Sequence, residues 1–231
     1  MNKILIIDDE TPTLTMFRFL LSAYGYTVLT AENGEQGLAL FDQERPPLVL
    51  TDIKMPGMDG IEVLKRIKKI DPRTEVIVIT GHGDMDLAIK ALNLDATDFI
   101  NKPVQRQALN QALKRAEERM KLAHNKDQEI SVSSENNTAV IHIQGNISSH
   151  SEACLQQAYQ QVVAMDKDKI LLSFNESASI NGAGIAILTQ LLLDAQQHNY
   201  KVLVSGLSDN FKKVFNIVGI SKLVEEIVSG K

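Results

Sequence analysis

The chain has 231 residues, 44% hydrophobic and 23% charged, with a formal net charge of −5. At roughly 100–200 residues per domain, that length makes one large domain or two smaller ones, each able to bury a core without a disulfide or metal staple. Residues 1–122 carry 16 basic and 18 acidic side chains and residues 123–231 carry 8 and 11, so neither half has the basic surplus that duplex DNA binding demands.

The N-terminus, MNKILIIDDE, has an apolar run of only ILII that ends in acids, so neither a signal peptide nor a membrane span is expected. Short apolar runs at Ile4–Ile7, Thr27–Thr30, Leu48–Thr51, Val76–Ile79 and Thr97–Ile100 read as buried strands. Amphipathic stretches near 13–24, 34–43, 60–69, 84–93 and 105–122 read as helices between them. This alternation predicts a doubly wound α/β domain with a parallel sheet covered on both faces. Gly25, Asn33-Gly34, Pro46-Pro47, Pro56-Gly57 and Asp71-Pro72 all fall between elements. Residues 105–122 form a charged amphipathic helix, and the polar stretch 123–128 is expected to be a linker to a second domain over 129–231.

The second half reads as mixed α/β with a single small sheet. Strands are expected at Glu129–Val132, Thr138–Ile143, Lys169–Phe174 and Lys201–Ser205. Helices are expected at Ser151–Met165, Ala183–Gln197, Asn210–Val218 and Lys222–Val228. The single cysteine, Cys154, is expected to be a small buried hydrophobe near a helix; with no second cysteine to pair, it fits a reducing cytoplasm. The scattered histidines offer no zinc-ligand spacing.

Acids stand where the first-half strands end. Asp8 and Asp9 close the first run and Asp52 the third, while Thr80 ends the fourth and Lys102 follows the fifth. In open α/β sheets, ligands bind outside the carboxyl ends of the strands, so these residues are expected on one rim. Clustered carboxylates repel and call for a cation, and Mg²⁺ suits an all-oxygen, partly hydrated site. Such an ion would neutralise an incoming phosphoryl group and align it for in-line attack by a carboxylate. Lys102 can pair with one phosphoryl oxygen and Thr80 can donate to another. Taken singly, these residues have ordinary readings. An Asp-Asp pair can cap a helix, Phe99 can be a core aromatic, and Gly81-His82-Gly83 can be a plain loop. The ordered set is what points to chemistry.

The strings ILIIDDE, LVLTDIKMPGMDG, VIVITGHGD and ATDFINKP make residues 1–122 resemble the receiver domain of bacterial two-component response regulators, a flavodoxin-like five-stranded fold. TGHGD is similar to receivers of the nitrogen-regulation type. The resemblance implies that Asp52 is phosphorylated by a sensor histidine kinase. It implies that Asp8, Asp9, Asp52 and the Lys54 backbone carbonyl hold Mg²⁺. It also implies that Thr80 and Phe99 form the switch pair, that Lys102 contacts the phosphoryl group, and that Pro103 follows a cis bond. Aspartate-nucleophile phosphatases resembling the haloacid dehalogenases need Asp-x-Asp here, and the string is Asp52-Ile53-Lys54.

The strings VIHIQGNISS, KILLSFNESASINGAGIAIL and YKVLVSGLSDNFKKVFNIVGISKLVEEI make residues 129–231 resemble a STAS domain, the fold of bacterial anti-sigma-factor antagonists. Regulated members of that family carry an Asp-Ser-Ser-Gly-like string with a phosphorylated hydroxyl. Here the string is Asn181-Gly182-Ala183-Gly184, and Ala183 has no hydroxyl. Ser177 and Ser179 are nearby and read as ordinary loop serines. The resemblance implies an anti-sigma factor or another STAS-binding protein as partner, docking on the Asn181–Gly184 loop. The whole reads as a signalling switch rather than an enzyme, with no nucleic-acid partner and no membrane insertion, and compatible with a homodimer. Two rival readings are a scaffold subunit in a stressosome-like assembly and a ligand-sensing STAS domain.

Overall fold

A computed structural model describes residues 3–81, 83–122, 130–175 and 178–228. The expected linker over 123–128, together with His82 and Ser177, lies outside the described residues. The chain divides into two units, Met1–Ala123 and His124–Lys231.

The first unit alternates strictly between strand and helix: β1 (Lys3–Ile7), α1 (Thr11–Ala23), β2 (Thr27–Ala31), α2 (Gly34–Glu44), β3 (Leu48–Asp52), α3 (Gly60–Ile70), β4 (Glu75–Thr80), α4 (Met85–Asn93), β5 (Asp98–Asn101) and α5 (Arg106–Leu122). The sheet order is β2-β1-β3-β4-β5, and every ladder is parallel. β3 and β4 are buried at every position because helices cover both faces, which explains their unbroken apolar runs. On one face, Ile4, Ile6, Leu50, Ile77 and Ile79 pack with Phe17 and Leu21 of α1 and with Leu109 and Ala112 of α5. Asn33 and Asp59 cap α2 and α3, accepting from the backbone of Gln36 and Glu62 at 2.9 and 2.7 Å. The order places the topological switch point between β1 and β3, whose carboxyl ends form the crevice where such sheets bind ligands.

At the opposite, amino-terminal end of the sheet, α5 is tied down by charge. Arg115 is 1% exposed and pairs with the fully buried Asp98. Arg119 meets Glu75 at 2.8 Å, and Glu75 also accepts from the Thr97 hydroxyl at 2.5 Å. The charged helix of the sequence therefore turns part of its charge inward.

The second unit opens with a hairpin, β6 (Ile130–Glu135) and β7 (Thr138–Ile143), followed by β8 (Asn146–Ile147), α6 (Glu152–Ala164), β9 (Lys169–Phe174), β10 (Ser179–Ile180), α7 (Gly182–Gln197), β11 (Lys201–Ser205), α8 (Asp209–Ile217) and β12 (Glu226–Val228). The main sheet runs β12-β11-β9-β7-β6, antiparallel only between β6 and β7. The expected single sheet is incomplete, because β8 and β10 form a separate two-stranded parallel ladder. Strands of two residues show no periodicity in sequence. The expected helix over Lys222–Val228 is replaced by a 3-10 turn at Ile220–Lys222 and by β12, which adds to the edge beside β11. Cys154 is exposed. It sits at the margin of the stripe that α6 buries through Leu155, Ala158 and Val162.

Candidate functional site

The strand registers assemble the rim. In the β1–β3 ladder Ile7 stands opposite Thr51, so the next residues, Asp8 and Asp52, emerge side by side. Asp52 stands opposite Ile79, which sets Thr80 one step further along β4. Thr80 is opposite Asn101, and Lys102 follows. Its backbone N–H donates to the Thr80 carbonyl at 2.7 Å.

The carboxylates of Asp8, Asp9 and Asp52 lie within 4.8 Å of one another. Asp8 and Asp52 are buried and Asp9 is exposed. The Lys102 ammonium pairs with Asp52 Oδ2 and lies 3.6 Å from Asp8 Oδ2. Thr80 is fully buried, and its hydroxyl donates to Asn101 Oδ1 at 3.0 Å. Phe99 is fully buried on β5 beside Val78. The Lys102–Pro103 bond is cis. Lys54 approaches from the loop after β3, donating its backbone N–H to Asp52 Oδ1 at 3.3 Å.

Two residues that shape this rim escaped the sequence reading. Asn101 holds the Thr80 hydroxyl; its only sequence signal is its place beside Lys102 at the end of β5. Gly60 opens α3 directly under the site, where a Cβ would sit 2.1 Å from the Asp52 carbonyl oxygen. No side chain fits at that spot, so the loop folds tightly only with glycine there.

Electrostatics match the crowding. Burial pushes the Asp8 carboxyl above its ordinary range, and the neighbouring Asp52 charge adds to this, while the Glu10 N–H and Lys102 pull it down. For Lys102, burial favours the neutral amine. The Asp52 hydrogen bond and the Asp52, Asp8 and Glu10 charges outweigh that, so its ammonium is held above the usual range. One cation thus faces three carboxylates. Asp8 Oδ1 accepts the Glu10 N–H at 2.8 Å, but its buried Oδ2 has no hydrogen-bond partner. An all-oxygen set with an orphaned buried carboxylate oxygen fits a hard divalent cation such as Mg²⁺.

In the second unit, the loop at Asn181–Gly184 is the start of α7. Asn181 Oδ1 accepts from the Gly184 N–H at 2.9 Å. A Cβ on Gly184 would lie 2.3 Å from the Ile147 carbonyl oxygen. These two residues have structural work, Gly182 is half-buried, and Ala183 is exposed. Ser179 is no surface loop serine: it is fully buried in β10 and donates to Asn146 Oδ1 at 3.0 Å.

A parallel sheet ordered 2-1-3-4-5, with an acidic pocket at its switch point and a lysine from the fifth strand reaching into it, defines the class of signalling domains built around a carboxylate cluster. A family model described as the response regulator receiver domain matches residues 4–114, and one described as "Mlab, STAS domain" matches residues 130–225. Sporulation initiation phosphotransferase F of Bacillus subtilis is 40% identical over 114 residues, covering 49% of this chain and 92% of that protein. The regulator NtrC of Salmonella typhimurium is 39% identical over 98 residues, covering 42% of this chain and 21% of its own length. The crystal structure of a response regulator receiver domain protein from Clostridium thermocellum superposes with a TM-score of 0.52 at 43% identity, covering 53% of this chain and 99% of that one. The chain spans only about a quarter of some curated transcriptional regulators it matches, such as GlrR of Escherichia coli at 25%. The chain belongs to the response regulator receiver family, and it joins that domain to a STAS domain. Among the described residues, no helix is long and apolar enough to cross a membrane.

Proposed function

We propose that Asp52 accepts a phosphoryl group from a sensor histidine kinase and that the STAS half delivers the output by binding a protein partner. The observation that carries this reading is the Lys102 ammonium poised between the Asp52 and Asp8 carboxylates on a strand-end rim. A relative with 92% of its length matched is named a phosphotransferase, which agrees with phosphoryl chemistry at this site.

Asp52 is the nucleophile: one carboxylate oxygen attacks phosphorus and the donor's imidazole leaves, giving an acyl phosphate. Lys102 then exchanges its Asp52 bond for a phosphoryl oxygen, and Thr80 turns its hydroxyl from Asn101 toward another. Phe99, buried on the neighbouring strand, occupies or yields the space that movement needs. Asp8, Asp9, Asp52 and the Lys54 carbonyl would hold Mg²⁺, which supplies charge neutralisation when bound. The STAS half docks its partner, an anti-sigma factor or related protein, at the Asn181–Gly184 loop, where Ala183 faces solvent. Phosphorylation of Asp52 takes the controlling role that a hydroxyl holds elsewhere in the STAS family. The chain acts as a signalling switch rather than as a metabolic enzyme.

The test is intact mass after incubation with acetyl phosphate and Mg²⁺. Wild type gains one hydroxylamine-labile phosphoryl group and Asp52→Asn gains none. A wild-type chain that stays unmodified, or an Asp52→Asn chain that is modified equally, refutes the acceptor assignment. Pull-downs with wild type and Asp52→Asn, with and without beryllofluoride and Mg²⁺, test the output. A partner captured equally in all conditions removes the switch.

A further inference from the structure

The helices α2, α3, α7 and α8 each start with a side chain on the cap: Asn33, Asp59, Asn181 and Ser208 accept from the first turn. α4 starts differently. Its cap residue is Asp84, a residue type well suited to the task, yet the side chain makes no capping hydrogen bond. The carboxylate is turned elsewhere. Its Oδ1 pairs with the Lys54 ammonium at 2.9 Å. Its Oδ2 lies 2.8 Å from where a Cβ on Gly81 would stand, so glycine leaves it room. The Lys54 backbone is already bonded to Asp52 Oδ1. The Lys54 side chain is 66% exposed and the Asp84 side chain 18%. One ion pair therefore ties the loop after β3, at the mouth of the acidic pocket, to the loop that leads into α4.

We propose that Asp84 is a positioning residue with two alternative partners: Lys54 in the unphosphorylated chain and the N-terminus of α4 in the phosphorylated one. The inference rests on Asp52 being the phosphoryl acceptor. Phosphorylation turns the singly charged Asp52 carboxylate into an acyl phosphate of roughly one and a half to two negative charges that reaches further out of the pocket, two residues from Lys54. The long, exposed lysine side chain swings toward that charge at little steric cost. Asp84 then loses its cation and its carboxylate turns to the Asp86 N–H in the first turn of α4, the Leu87 N–H being already bonded to the Asp84 carbonyl at 3.0 Å; the helix dipole also favours an anion there. The exchange tightens the start of α4 and unties its loop from the loop after β3. A chemical event at Asp52 thereby reaches a helix that does not itself touch the phosphoryl group.

Amide hydrogen exchange in the ¹⁵N-labelled full chain reads this directly at Asp86. Lys54→Gln frees Asp84, and exchange at this amide slows about fivefold, the worth of one cap. Asp84→Asn, which can cap but carries no charge, gives the same slowing. Wild type with beryllofluoride and Mg²⁺ does so too. Asp84→Ala, which has neither partner, shows no slowing in any condition. Wild-type rates in Lys54→Gln and Asp84→Asn overturn the exchange of partners, as does slowing in Asp84→Ala. Slowing in the variants without slowing by beryllofluoride overturns its link to phosphorylation. Acyl-phosphate formation at Asp52 is scored separately by mass, so failure of the acceptor reading and failure of the Asp84 exchange appear in different measurements.

Discussion

Replacing Arg115 with methionine tests how firmly α5 is anchored. Arg115 and Asp98 are 1% and 0% exposed, and they pair through Nε at 2.8 Å and through Nη2. Methionine fills most of the volume, so the loss is mainly electrostatic. Asp98 keeps one local bond, from the Phe99 N–H at 2.8 Å, but has no solvent to replace its cation. Stranding one member of a buried pair costs about 3–5 kcal/mol. Against a domain stability of about 5–15 kcal/mol, that is a large fraction.

Native-state amide exchange of the full chain reads this cost. Protected amides of β4 and β5 exchange through global opening of the first unit, and amides of β9 and β11 serve as an internal reference. Arg115→Met should speed the former roughly 10²–10³-fold, which corresponds to about 3–4 kcal/mol. Adding Asp98→Leu should restore most of the loss, because an apolar pair of similar volume carries no stranded charge. A single variant that costs under about 1 kcal/mol, or a double variant that fares no better than the single, refutes the reasoning.

Two other expectations concern the rim. The Asp8 carboxyl is held above its ordinary 3.8, first by burial. The folded state therefore binds this proton more tightly than the unfolded chain does. Stability falls as pH rises from near 3.8 through the raised value, and the penalty persists at neutral pH. Asp8→Asn should thus stabilise the first unit at pH 7 without Mg²⁺, with the gain vanishing in acid; urea melts across pH check it, and a variant less stable at pH 7 contradicts it. Gly60→Ala places a Cβ 2.1 Å from the Asp52 carbonyl oxygen. It should cost about 1–3 kcal/mol or more and weaken Mg²⁺ binding, seen by titration; wild-type affinity would show that the loop yields.

The receiver was legible in the sequence because Asp8, Asp52, Thr80 and Lys102 sit at or just past strand ends, and the apolar runs locate those ends. Once β1, β3, β4 and β5 are placed in parallel, the topology brings Asp8, Asp52, Thr80 and Lys102 together with little further information. What stayed hidden depends on distant partners. Arg115 looks like any surface arginine on a charged helix until Asp98 is found beside it. The Lys54–Asp84 bridge joins two loops whose approach no local pattern encodes. In the second unit, β12 has three residues at a sheet edge and β8 and β10 have two each, too few to show a period of two. Cys154 is exposed although it lies one turn before the buried Ala158, because it sits at the margin of the buried stripe of α6, where neither residue type nor helix phase decides burial.

Ala183 separates folding from output at the start of α7. Gly184 cannot serve, since a Cβ there would lie 2.3 Å from the Ile147 carbonyl oxygen and any loss of docking would be confounded with loss of structure. Asn181 cannot serve either, because it caps the helix. Ala183 is exposed, so a glutamate there meets solvent and lies in the first turn, where the helix dipole favours an acid by about 0.3–1 kcal/mol. Ala183→Glu is therefore expected to keep or slightly raise the stability of the second unit while placing a charge at the proposed docking loop. Comparing full-length wild type and Ala183→Glu by pull-down, each with beryllofluoride and Mg²⁺, isolates that loop. Loss of the partner with unchanged thermal unfolding supports docking there. Equal capture by a stable Ala183→Glu protein places the output surface elsewhere on the STAS domain.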